Sequence, residues 1–225
     1  MHLRSFTRVC ATSLLTTLVA ASAGAQVLDG SFEQHQVGST NQYQYSRFQP
    51  GPPTTPAARF SSPWFFGAST GLINGTGSAF NTPGSIPDGS QVAFFQGKGS
   101  FIEQAIRGLT PGQYTLSFYT AGRQNSGCCD GNTSFNVTYR GTVIGSSTTS
   151  SFDQWTLNTF TFNALAGPGE LRFVNTSTSG DHTFFLDAVS IGSITSQATT
   201  APEPATIALV GSGLVTLLVM RRRRA

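Results

Sequence analysis

The sequence predicts an all-β chain folded as an antiparallel β-sandwich. Three observations carry that expectation. Only 10% of the 225 residues are charged, against about 25% in ordinary soluble domains, so the polar surface has to be built from Ser, Thr, Asn, Gln and Gly. Eighteen phenylalanines can fill a core, which separates the chain from disordered compositions. In the middle of the chain apolar residues recur with period two between Gly- and Pro-rich turns, and no amphipathic helix is evident. Without helical crossovers a parallel sheet has no way to connect its strands.

The strands follow in order. Gln91 to Gln96 is one strand and Ser100 to Ile106 the next, joined by Gly97-Lys98-Gly99. Leu109-Thr110-Pro111-Gly112-Gln113 is a turn, with Pro and Gly where turn geometry favours them. Tyr114 to Ala121 sets Tyr114, Leu116 and Phe118 on one face. Ser134 to Arg140 does the same with Phe135, Val137 and Tyr139, and Thr142 to Gly145 pairs back across Arg140-Gly141. Trp155 to Ala164 reads as changing parity partway, with Trp155 in the core and Phe160, Phe162 and Ala164 inward. Glu170 to Asn175 presents Leu171 and Phe173, and Thr183 to Ile191 closes a set of eight. Residues 36–90 are less regular; a stretch of that length hides short strands or serves function.

The two ends read as address labels. Arg4 and Arg8, an apolar run from Val9 to Ala21 and Ala23-Gly24-Ala25 form a secretory signal peptide over residues 1–25. A folded domain is expected over 26–192, a Ser/Thr-rich linker over 193–201 and a tail over 202–225. The tail carries Pro202-Glu203-Pro204, a 16-residue apolar run from Ala205 to Met220, then Arg221, Arg222, Arg223 and Arg224. That run is slightly short for a spanning helix, and the Arg cluster places its end in the cytoplasm. The formal +3 is therefore misleading. Between Gln26 and Ala201 lie seven of the 13 basic residues and nine of the ten acids, so that stretch carries about −2. A basic nucleic-acid groove is excluded.

Pro202-Glu203-Pro204, one short hydrophobic segment and the terminal Arg cluster resemble the PEP-CTERM sorting signal of Gram-negative bacteria. The resemblance implies an exosortase-type membrane enzyme as partner. It also implies transient anchoring in the inner membrane, then delivery to the cell surface or the exopolysaccharide matrix.

A second resemblance spans most of 27–191. Val27-Leu28-Asp29-Gly30-Ser31-Phe32-Glu33 opens it, then Pro87-Asp88-Gly89-Ser90-Gln91-Val92-Ala93, Ile102-Glu103-Gln104-Ala105-Ile106, Leu109-Thr110-Pro111-Gly112-Gln113-Tyr114 and Leu186-Asp187-Ala188-Val189-Ser190-Ile191. This order is similar to the DUF642 and related carbohydrate-binding-module-like group, whose galactose-binding-like domains are jelly rolls. Asp29 stands where that group often has Asn, and the Tyr- and Pro-rich insert at 41–63 departs from it. The resemblance implies polysaccharide binding, with the cell's own exopolysaccharide as the ligand. It also implies a structural calcium near the first and last strands, at Glu33 and Asp187. Calcium takes 6–8 oxygens, so backbone carbonyls would supply most ligands; alternatively the two carboxylates bond neighbouring backbone N–H groups.

Sugar rings stack on exposed aromatic faces, which makes Tyr43, Tyr45, Trp64 and Tyr119 candidates, with Arg123, Asn125 and Asp130 as polar contacts. Each aromatic can equally serve the core. Cys128 and Cys129 are adjacent in a Gly-rich loop. In an oxidising compartment they form a vicinal disulfide, bond to another chain or stay as thiols, and the bridge is the favoured reading. No zinc pattern, G-x-S-x-G or H-E-x-x-H occurs, so no enzyme activity is expected. The alternatives are a structural matrix protein without a specific glycan site, or a glycan hydrolase.

Overall fold

The computed structural model describes residues 27–38, 43–46, 60–75, 80–124, 132–178 and 180–194. The expected signal peptide, the sorting tail, Asn125, Asp130 and the Cys128-Cys129 pair lie outside them. Eleven strands are present among the described residues: β1 (Tyr43–Tyr45), β2 (Phe65–Gly67), β3 (Thr70–Asn74), β4 (Gln91–Gln96), β5 (Phe101–Ile106), β6 (Gly112–Gly122), β7 (Asn132–Tyr139), β8 (Thr142–Ser150), β9 (Thr156–Ala164), β10 (Gly169–Asn175) and β11 (Thr183–Ser193). The last eight match the sequence reading, and the irregular stretch holds the first three.

The strands form two antiparallel sheets, one of order β1-β3-β4-β11-β6-β9 and one of order β2-β5-β10-β7-β8. Most successive strands cross from one sheet to the other, and β7–β8 is the tight hairpin. Its two turn residues, Arg140 and Gly141, both have positive φ (51° and 76°), the type I′ geometry that matches strand twist. The alternating residues of β6, β7 and β10 meet between the sheets. Phe95, Phe184 and Phe135 stack at 4.3 and 5.0 Å, and Phe118 meets Phe173 edge-on at 5.0 Å. A Phe-rich sequence is what such a ring-on-ring core requires.

The parity change expected in Trp155 to Ala164 does not occur. β9 pairs with β6 in unbroken register from Gly112↔Ala164 to Thr120↔Thr156. Asn158, not an apolar residue, takes the inward place and donates to Thr120 Oγ1 at 2.8 Å. Trp155 instead packs on a second apolar cluster with Ile73, Phe80, Val92, Phe94, Ala121 and Phe185, on the outer face of the six-stranded sheet.

Two buried glutamines fix the N-terminal segment, which has no strand of its own here. Gln91 donates from Nε2 to the carbonyls of Phe32 (3.0 Å) and His35 (2.8 Å), and its Oε1 accepts from Val37 N at 2.6 Å. Gln104 exchanges both its bonds with the backbone of Leu28. Each amide thus mimics a strand neighbour and satisfies a segment that has no ladder. Gly30 lies so close to the Val189 carbonyl that no Cβ fits there, and Val189 N donates to Gly30 O at 2.9 Å. The chain's first and last described segments are joined at that point.

Candidate functional site

Residues 80–91 run as a strap over the outer face of the six-stranded sheet. At its start, the Phe80 ring packs on Tyr43 (4.7 Å) and Phe94 (4.9 Å), and Asn81 O accepts from Gln124 N at 2.9 Å. In the middle, Pro83 O accepts from Trp155 Nε1 at 3.2 Å. At its end, Asp187 and Glu33 hold it by accepting from the backbone N–H groups of Asp88, Ser90 and Gln91.

A polar cluster lies where the start of the strap meets the ends of β1, β4 and β6 and the approach to β11. Asp181 sits at its centre. Its Oδ2 accepts from Gln96 Nε2 at 2.7 Å and its Oδ1 from Thr183 Oγ1 at 2.9 Å. Arg123 Nη1 stands 3.8 Å from Oδ2, and the same guanidinium lies 4.8 Å over the Phe80 ring. The Tyr45 hydroxyl donates to Gln96 Oε1. Burial raises the pKa of that hydroxyl, with the Tyr43 and Asp181 charges pushing the same way and Arg123 opposing them. Tyr43 remains 45% exposed and Tyr45 36%. Two tyrosine rings therefore stand open beside an amide, a carboxylate and a guanidinium. The chain enters residues 47–59 and 125–131 directly after this cluster.

The candidates separate cleanly. Trp64 is a correction: it is 3% exposed, packs against Phe32 and Phe173, and donates from Nε1 to Asp29 O at 2.8 Å. Its ring fills the core and its one polar atom is satisfied inside, so it offers no face to a ligand. Tyr119 does face outward, half-buried, between Asp187 on β11 and Leu157 on β9. Arg123 joins the cluster and is mostly buried.

Glu33 and Asp187 are brought to one place by the strap. Glu33 Oε1 accepts from Ser90 N and Gln91 N, both at 2.6 Å, and Oε2 from Ser90 Oγ at 3.1 Å. Asp187 Oδ2 accepts from Asp88 N at 2.9 Å. Its Oδ1 is buried with no hydrogen-bond partner. Burial pushes the Asp187 carboxyl up to about 8, and the Asp88 and Glu33 charges add to the push. An unpartnered carboxylate oxygen among acids suits a proton or a cation. Among the described residues no group of three Asp, Glu, His or Cys side chains is close enough to hold a metal ion.

Gln96, Phe80 and Asp88 were not singled out from sequence, and Asp181 stood out only for its adjacency to His182. Asp88 carried a signal in its place in Pro87-Asp88-Gly89-Ser90; Gln96 and Phe80 join the cluster by tertiary contacts between distant strands.

Residues 200–224 match the PEP-CTERM protein-sorting motif, which implies a membrane-spanning tail at this end and marks an exported protein. No curated protein sequence matches the chain. Among solved structures, a Stig cyclase from Fischerella sp. TAU shares the fold: TM-score 0.53 and 16% identity, over 76% of this chain and 97% of that one. A xylan-binding domain of family 22 from Paenibacillus barcinonensis gives TM-score 0.48 and 12% identity, over 78% and 98%. A family 35 carbohydrate-binding module from Clostridium thermocellum gives 0.42 and 18%, over 58% and 92%. The chain is thus a jelly-roll β-sandwich carrying a sorting motif. Fold alone leaves its ligand open.

Proposed function

We propose that the protein is a non-catalytic surface or extracellular-matrix protein whose sandwich, residues 26–192, binds polysaccharide through the Tyr43–Tyr45 rim and the Gln96–Asp181–Arg123 cluster. The observation that carries this reading is the pair of exposed tyrosine rings beside three planar polar side chains. A sugar ring offers an apolar C–H face to an aromatic and paired hydroxyls to such forks. The scarcity of charge on the middle of the chain suits a hydroxyl-rich polymer, with exopolysaccharide as the ligand class. Asn125 and Asp130 follow Gln124 in the sequence and would add polar contacts, and a Cys128–Cys129 bridge would stiffen that stretch. Asp181 commits its oxygens to Gln96, Thr183 and Arg123 rather than to its neighbour His182, which favours binding over catalysis.

Glu33 and Asp187 would hold a structural calcium, with carbonyl oxygens completing the shell. When bound, the ion would neutralise Asp187 and fix the end of the strap. The signal peptide would be removed on export. An exosortase-type enzyme would act on the tail in the inner membrane before release to the surface or matrix.

Affinity electrophoresis of residues 26–194 through gels containing neutral and acidic polysaccharides tests the binding. Retardation by at least one polymer is expected, lost in Tyr43→Ala/Tyr45→Ala with an unchanged melting temperature. Free migration in every gel would remove the binding reading, and release of oligosaccharides would replace it with a hydrolase.

A further inference from the structure

Long sheet edges in natural proteins are guarded by charged residues, proline or bulges, because their unpaired N–H and C=O groups are open to another strand. Among the described residues β9 is the outermost strand of its sheet and pairs only with β6. Its sequence, TLNTFTFNA, holds no charged residue, no proline and no glycine, and its register with β6 has no bulge. Every second residue therefore points a backbone N–H and C=O away from β6 with nothing to deter pairing.

Exposed apolar side chains lie on and beside this edge. Of the nine large ones among the described residues, Phe152 and Leu165 flank β9 and Leu157 lies on it; Val143 lies on β8, the edge of the other sheet. All four are more than half exposed. β8 and β9 bound the same side of the sandwich, with Gly145 of β8 against the Phe160 ring. β8 is uncharged as well.

We propose that this edge pairs with a second copy of the chain, β9 antiparallel to β9 about a two-fold axis at Phe160. Charge selects that occupant: a neutral strand sets no like charges against itself. The symmetry is self-complementary. It places Thr159 opposite Thr161 of the other copy and Leu157 opposite Asn163, all exposed in one copy alone. The six-stranded sheet then runs on continuously into its symmetry mate.

The test uses the full chain in detergent under reducing conditions, which removes any dimer made by cysteines. Sedimentation should give twice the protomer mass. Hydrogen exchange at alternate β9 amides should slow as concentration rises. Thr159→Lys/Thr161→Lys places charge on both exposed edge positions; it should halve the mass and leave the melting temperature within a few degrees. A protomer mass at the highest concentration would overturn the proposal, as would a dimer that the lysines leave intact. Protection of the β9 amides that is independent of concentration would assign the edge to the chain's own residues beyond Ile194, and would overturn it too.

Discussion

The backbone N–H of Asp88 donates to Oδ2 of Asp187 at 2.9 Å, so the last core strand holds the strap by an acid whose other oxygen is buried and unpartnered. That acid is the most consequential titrating group in the fold.

Its titration has a sign. Burial, with help from the Asp88 and Glu33 charges, raises the Asp187 carboxyl from 3.8 to about 8. Between those values the folded chain keeps a proton that the unfolded chain loses. Its contribution to stability is full below about pH 4 and is lost as pH rises to about 8. Each pH unit of such a difference is worth about 1.4 kcal/mol at most. In EDTA, the melting temperature should therefore fall across that window, and Asp187→Asn should flatten the slope. Calcium should raise the wild-type melting temperature at pH 8 and leave Asp187→Asn unmoved. Parallel slopes for the two proteins would dismiss the account.

Glu33 holds the strap from the other side with three accepted bonds. Glu33→Ala should cost about 2–3 kcal/mol, since hydrogen bonds to a charged group are the stronger kind. Gly89→Ala should act on the same contact: its φ is +76° and a Cβ there meets the Glu33 carboxyl. A double-mutant cycle by urea unfolding should show the two losses to be non-additive; simple addition would mean that they act at separate places.

Trp64 and Tyr45 should respond in opposite ways. Trp64→Ala removes a buried ring and should cost about 3–5 kcal/mol, while Trp64→Phe should leave polysaccharide retardation unaltered. Tyr45→Ala should lose retardation with little change in stability. Titrating both by affinity electrophoresis and thermal melting separates core from contact.

Gln91 is an unusual core residue, fully buried and bonded to Phe32, His35 and Val37. Gln91→Leu keeps the volume but strands three backbone groups, so a loss of about 2–4 kcal/mol is expected from their desolvation. Hydrogen exchange should locate the loosening at residues 32–37.

The strands with clean alternation were legible because burial of one face forces period two. Phe135, Val137 and Tyr139 show this, and so do Leu171 and Phe173. Trp155 misled because the outer face of its sheet is also apolar; the strap covers it, so an outward ring is buried as well as an inward one. Trp64 looked like a candidate platform because a large aromatic in an irregular segment has no parity to read. Glu33 and Asp187 were recognisable through the resemblance, whereas Gln96 and Asp181 come together only by pairing of β4 with β11. No local pattern marks a residue whose role depends on a strand eighty residues away.

β11 lies between β4 and β6, and the chain leaves the sandwich from its end at Ile194, whose N–H still bonds Gln113 O at 3.0 Å. A pull on anything beyond that point acts along β11 and across ladder bonds that run perpendicular to it. Those bonds on both flanks must then shear together, where an edge strand would peel one bond at a time. A chain held through its C-terminal end would thus bear tension along a strand that is paired on both flanks.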